Sequence, residues 1–179
     1  MTDLAALIDG LVRDIPDFPK PGVLFKDISP LLDDPAAFSA VVQGLADAGR
    51  GPDGSTVVDK VIGMEARGFI LAAPVALALG VGFVPVRKPG KLPAATYAVS
   101  YSLEYGEETL EIHTDALAPG ERVLIVDDVL ATGGTARATR LLVDHCDAVV
   151  HGLAVLMELS FLGGRQTLGS MPLTALRTV

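Results

Sequence analysis

Hydrophobic and polar positions change period several times along the chain, and each change marks an element. Leu4, Leu7, Ile8, Leu11 and Val12 recur at the spacing of one helical face, and the Ile15-Pro16 pair ends that helix, because the residue before proline is pushed out of helical geometry. From Pro16 to Pro30, Phe18, Val23, Leu24, Phe25 and Ile28 lie among prolines without a clean period, which predicts an ordered loop. A second helix begins at Asp34-Pro35, an acidic cap with proline in the first turn, and turns Phe38, Val41, Val42 and Leu45 inward. Apolar runs then alternate with helical stretches: strand Lys60 to Met64, helix Phe69 to Leu79, strand Gly82 to Arg87, strand Val123 to Val126, helix Thr135 to Cys146 and strand Val149 to Met157. That alternation predicts an α/β fold with a mainly parallel twisted sheet flanked by helices. Between these units Thr96 to His113 is polar and alternates weakly, which suits an antiparallel hairpin projecting from the sheet.

Composition narrows the picture. At 179 residues, half of them hydrophobic and without linker, repeat or low-complexity tract, the chain suits one α/β domain over 1–179. Its net charge of −8 disfavours a nucleic-acid or anionic-membrane partner, either of which wants a basic face. Phe69 to Val86 carries no charge over 18 residues, but Pro74, Gly80, Gly82 and Pro85 punctuate it, so helix, turn and strand explain it better than a membrane span. Cys146, the single cysteine, falls on an apolar helical stripe and reads as a core residue. No basic start followed by an apolar run opens the sequence, and the expected compartment is the cytoplasm. His113, His145 and His151 have no spacing that suggests a metal site.

The chemistry concentrates in VLIVDDVLATGGT, Val123 to Thr135. Val123, Leu124, Ile125 and Val126 are apolar at every position, as a central parallel strand covered on both faces requires. Ala136, Thr139, Leu142, Val143 and Cys146 then repeat with helical period, so Ala131, Thr132, Gly133, Gly134 and Thr135 form the turn into a helix N-terminus. Unpaired N–H groups and the positive end of the helix dipole converge on such a turn, and the glycines let the backbone approach a phosphate. Asp127 and Asp128 would repel that phosphate unless they bind another part of the same ligand. A ribose diol fits, its hydroxyls donating to the carboxylates directly or through magnesium. Neither G-x-x-x-x-G-K-[ST] nor G-x-G-x-x-G is present. The plainer alternative, a strand-end turn and a glycine loop, leaves two acids without a role.

At these residues the chain resembles the type I phosphoribosyltransferases, whose phosphoribosyl pyrophosphate (PRPP) motif is four apolar residues, two acids and a T-G-G-T-type loop. FPKPGVLFKDISPLLDDP at Phe18 to Pro35, GMEARGF at Gly63 to Phe69 and SLEYGEETLEIH at Ser102 to His113 resemble the adenine phosphoribosyltransferases within that family. The resemblance implies purine salvage: adenine and PRPP, with Mg²⁺ held mainly by PRPP, give AMP and pyrophosphate with inversion at C1. It also implies the type I fold, with an N-terminal hood and base-recognition segment over 1–35 and a flexible lid hairpin over 95–113.

On an acidic chain PRPP must meet a local basic cluster, and Arg67, Arg87, Lys88 and Lys91 are the supply. The resemblance makes Arg67 a pyrophosphate ligand at the reacting centre, with a solvated surface charge as the alternative, and places a cis bond at Glu65–Ala66. It assigns Arg87, Lys88 and Lys91 to pyrophosphate, partly across a homodimer interface, where the residues alone read as a basic surface turn. The hairpin reads as a lid, since a loop of this length that is neither core nor disordered closes over a ligand and an oxocarbenium-like transition state needs water excluded. In the family a glutamate and a tyrosine here assist catalysis. Glu104 then shares a proton with the purine and Tyr105 closes the site, a capping aromatic being the alternative for Tyr105. Phe25 stacks on the base while backbone groups of Leu24 and Lys26 read its edge. Some family members have arginine at Lys26, whose bidentate reach is lost here if the side chain matters. Leu159 and Leu162 read equally as a cover over the base or as core.

Two further readings differ in base or in class. Hypoxanthine, guanine, xanthine or orotate would keep the chemistry, and Phe18 to Pro35 argues against them. A PRPP- or purine-sensing regulator would lack the lid acid or add a DNA-binding element, whereas this chain keeps Glu104 and shows no basic helix.

Overall fold

The computed structural model describes residues 4–103 and 106–179. Its helices are α1 (Leu4–Leu11), α2 (Ser29–Asp33), α3 (Pro35–Ala46), α4 (Arg67–Leu79), α5 (Gly134–His145) and α6 (Gly164–Leu168). Its strands are β1 (Arg13–Pro16), β2 (Leu24–Asp27), β3 (Lys60–Met64), β4 (Gly82–Val86), β5 (Thr96–Leu103), β6 (Gly106–His113), β7 (Arg122–Leu130), β8 (Val149–Glu158) and β9 (Leu173–Thr178).

Val123 to Val126 are fully enclosed because β7 is the middle strand of a five-stranded parallel sheet ordered β4-β3-β7-β8-β9. Alternate side chains divide between two cores. Leu124 and Val126 join Val61, Ala154 and Leu156 beneath α3 and α4. Val123 and Ile125 join Ile62, Leu153 and Val155 beneath α5. Cys146 is buried in that second core, as its place on the apolar stripe requires, and burial pushes its thiol pKa up. No helix among the described residues is long and apolar enough to cross a membrane.

Asp34 caps α3 as its sequence position predicts, its Oδ1 accepting from Ala36 N and Ala37 N, both at 2.9 Å, with Pro35 in the first turn. The expected strands and helices are present with shifted ends. α4 begins at Arg67 rather than Phe69, and β7 runs past Val126 to Leu130, so both aspartates lie within the strand.

The structure differs from or adds to the sequence reading at three places. The first helix stops at Leu11 rather than at Ile15-Pro16, Arg13–Pro16 is instead the strand β1, and within the predicted loop from Pro16 to Pro30 Leu24–Asp27 pairs with it as β2 before α2 begins. Directly opposed charges hold that ladder: Arg13 meets Asp27 and Lys26 meets Asp14, each at 2.6 Å, so hydrophobic alternation was not the signal. α6 and β9 have no counterpart in the sequence reading; α6 has five residues and is too short to show a period. The β5–β6 hairpin does not project along its whole length, because Leu110 and Ile112 are buried and Tyr97, Val99 and Tyr101 pack on the same core.

Asp34→Ala leaves the first N–H groups of α3 without their acceptor and should lower stability by about 1 kcal/mol. Urea unfolding of the variant against the parent chain measures this.

Candidate active site

The carboxyl ends of β3, β4, β7 and β8 open on one edge of the sheet, where open α/β folds bind ligands. Asp128 follows Leu124 and Val126 on the face toward α4 and is 4% exposed. Its Oδ2 lies 2.8 Å from Arg67 Nε, a close ion pair in which no N–H is aimed at the oxygen, so Oδ2 is buried without a hydrogen bond. Asp127 Oδ1 accepts from Asp128 N at 2.9 Å. Burial, and then the charge of Asp128, push the Asp127 pKa well up, and Arg67 offsets this only in part. Asp128 Oδ2 is thus an acceptor without a donor, and a hydroxyl could supply one. Gly68 is required beside it: a Cβ there would sit 2.8 Å from Asp127 Oδ1 and 3.1 Å from Val126 O.

Ala131 to Thr135 form the expected turn. Gly133 caps α5 at φ +84° and the helix starts at Gly134, so first-turn N–H groups point out of the protein end of α5. A small cleft lies against Asp127, Ala131, Thr132, Gly133 and Thr135. α6 backs this turn closely. A Cβ on Gly133 would meet Gly164 O at 2.8 Å, and one on Gly164 would overlap Ala131 O.

The Glu65–Ala66 bond is cis, as the resemblance implies. Glu65 accepts from Lys88 N at 2.9 Å and from Arg87 Nε at 3.3 Å, contacts that hold its pKa below the usual carboxylate value, the Lys88 N–H contributing most. Arg87 Nη1 donates to Lys91 O at 3.0 Å, and Lys88 Nζ pairs with Glu108 at 3.4 Å. Arg67 alone of the four expected cations contacts the acid pair, while Arg87, Lys88 and Lys91 build the loop after β4.

Arg67 also reaches the base-recognition segment. Its guanidinium lies 4.7 Å over the Phe25 ring and its Nη1 donates to Lys26 O at 3.3 Å. Phe18 meets Phe25 edge-on with centroids 5.0 Å apart. The Lys26 ammonium is engaged by Asp14, so its backbone is the part turned to this site. Leu24 is exposed. The paired reading of Leu159 and Leu162 divides: Leu159 is buried in the core and Leu162 is exposed. Glu104 and Tyr105 lie outside the described residues.

Sequence reasoning missed Glu158, buried at the end of β8 and held by Arg165 at 2.9 and 2.6 Å, and Tyr101, which contacts Thr135. An acid ending the Val149 to Met157 run was the available signal for the first; nothing local marked the second. Among the described residues no group of three or more His, Cys, Asp or Glu gathers as a metal site.

The phosphoribosyl transferase domain family matches residues 31–164. An adenine phosphoribosyltransferase of Nocardioides sp. is 71% identical over 169 residues, 94% of this chain and 91% of that protein. The chain belongs to the adenine phosphoribosyltransferase family. Another adenine phosphoribosyltransferase, from Thermobifida fusca, is 58% identical over 99% of both chains. Crystal structures agree: the adenine phosphoribosyltransferase of Thermoanaerobacter pseudethanolicus superposes with a TM-score of 0.92 at 48% identity, covering 98% of this chain and 99% of that one. The Saccharomyces cerevisiae enzyme, complexed with an iminoaltritol bisphosphate and adenine, gives 0.92 at 38% identity over the same shares. The type I phosphoribosyltransferase fold expected from the sequence is the fold of the chain.

The raised pKa of Asp127 ties stability to pH. Folding makes this carboxyl bind its proton more tightly, so its contribution to stability is lost as pH rises from about 4, the unfolded value, through the folded pKa. Asp127→Asn removes that cost and should raise the melting temperature of the free protein at pH 7 by about 2–4 °C, as roughly 1 kcal/mol does at this size. At pH 4 the gain should shrink, which calorimetry at the two pH values measures.

Proposed function

We propose that chain 1–179 acts as one catalytic unit that transfers the 5-phosphoribosyl group from PRPP to adenine, giving AMP and pyrophosphate with inversion at C1, a step of purine salvage. The observation that carries this reading is the juxtaposition of an acid pair in which Asp128 Oδ2 has no donor, a glycine turn at the N-terminus of α5, and Arg67 joining that pair to Phe25.

Ala131, Thr132, Gly133, Gly134 and Thr135 hold the 5′-phosphate through N–H groups and the helix dipole. Asp127 and Asp128 accept from the ribose hydroxyls and fix the sugar so that one face of C1 meets the base. Phe25 stacks on adenine, with Leu24 and Lys26 reading its edge through the main chain. Arg67 lies between base and sugar, and with Arg87, Lys88 and Lys91 it meets the pyrophosphate. Glu104 holds a proton at the purine ring and Tyr105 closes the site, roles that rest on the sequence motif.

Mg²⁺ suits this donor set, because the protein supplies a carboxylate pair and no further cluster among the described residues, and a magnesium ion keeps mostly substrate and water oxygens. When bound, it neutralises pyrophosphate charge. A homodimer fits the outward face of α4 and β4, where Ile70, Leu77 and Phe83 are exposed just before Arg87. A buried free thiol, Cys146, fits a reducing compartment, and the cytoplasm is the setting proposed.

Chromatography after incubation with Mg²⁺–PRPP and adenine, hypoxanthine, guanine or orotate, each alone, tests the reaction. AMP and pyrophosphate in equal amounts from adenine only is the expected result; turnover of another base instead would refute the assignment of Phe25 and its neighbours. Asp128→Asn should raise KM for PRPP at least about tenfold in a protein that still folds, the loss of a charged hydrogen-bond acceptor. Glu104→Gln should instead lower kcat by about a hundredfold, in the range of general acid–base terms, with PRPP binding unchanged. Steady-state kinetics separate the two, and a pure binding defect in Glu104→Gln would remove its proton role.

A further inference from the structure

Tyr101 belongs to β5, yet its phenol reaches the turn before α5. Its hydroxyl donates to Glu108 Oε2 at 2.8 Å and lies 3.1 Å from Thr135 Oγ1. Strand register sets this position, since Tyr101 and Glu108 are direct partners across β5 and β6. The ring edge also rests on the turn: a Cβ on Gly134 would fall 3.1 and 3.2 Å from Tyr101 Cδ2 and Cε2.

Hydrogen-bond arithmetic fixes the directions. An ionised carboxylate only accepts and a phenol has one hydrogen, so Tyr101 donates to Glu108 and Thr135 must donate to Tyr101. Burial raises the phenol's pKa further above neutrality, which keeps that hydrogen in place. The Thr135 side chain is therefore held in one orientation before any ligand arrives. Its carbonyl is held as well, accepting from Thr139 Oγ1 at 2.9 Å.

We propose that Tyr101, oriented by Glu108, is a positioning residue for the phosphate turn, holding Thr135 so that its hydroxyl has only to swing its hydrogen from the phenol to a phosphate oxygen. This rests on reading Ala131 to Thr135 as the 5′-phosphate site. Without the phenol oxygen, ordering the Thr135 side chain becomes a cost of binding, which for one side chain corresponds to about three- to tenfold in affinity. The hairpin thereby tunes affinity for the sugar phosphate through a residue of β5 paired with β6.

Isothermal titration with ribose 5-phosphate and, separately, with pyrophosphate tests the role on Tyr101→Phe, Thr135→Val and the double variant. Tyr101→Phe keeps the ring against Gly134 and should weaken ribose 5-phosphate by about three- to tenfold, with pyrophosphate unchanged within about twofold. In the Thr135→Val background the same change should have no further effect, because a residue acting through Thr135 has nothing left to act on. Glu108→Gln, whose amide oxygen still accepts from the phenol, should bind ribose 5-phosphate as the parent does. An equal loss in both backgrounds, or an unaltered Tyr101→Phe, would overturn the role of Tyr101. Ribose 5-phosphate binding indifferent to Thr135→Val would overturn the reading of the turn itself, and the proposal with it.

Discussion

Two neighbouring carboxylates at the end of the central strand are the constraint around which this site is arranged. Asp128 is enclosed and Asp127 is strongly desolvated, and a buried charge costs several kcal/mol unless it is paired or protonated. The surroundings answer that cost only partly. Arg67 supplies a counter-charge to Asp128 without an aimed N–H, and Gly68 lets the first turn of α4 come close enough to make the approach. What is missing is hydroxyl donors. In the proposed function a sugar diol supplies them.

The same arginine joins the proposed base segment to the acid pair. Arg67 touches Asp128, lies over Phe25 and donates to Lys26 O, so the segment carrying β2 is anchored to the carboxyl edge of the sheet through one guanidinium. Opposed charges across β1 and β2 then hold that segment in register. On the other side, α6 presses its backbone against Ala131 and Gly133, leaving no room for a Cβ at Gly133 or Gly164. The turn before α5 is thus braced from beneath by α6 and from the side by Tyr101, and a turn so braced meets a ligand already ordered.

Sequence alone carried the elements whose hydrophobic period is strong. Val123 to Val126 read as a central strand because every position is apolar, and Asp34-Pro35 read as a helix start because cap and proline act locally. The acid pair and the glycine turn were legible for the same reason, being contiguous. Contacts between distant residues were not. The β1–β2 ladder rests on charge pairs that no period reveals, and Tyr101 meets Thr135 across 34 positions of chain. Arg67 and Phe25 are each legible as site candidates, but their stacking needs the fold.

The central claim is that one ribose 5-phosphate unit spans the acid pair and the turn before α5. A crystal structure with AMP tests it most directly. The account predicts the phosphate within hydrogen-bond distance of the N–H groups from Thr132 to Thr135, the ribose hydroxyls on Asp127 and Asp128, and adenine against Phe25. AMP bound with its phosphate away from that turn, or with the two aspartates turned from the sugar, would contradict it.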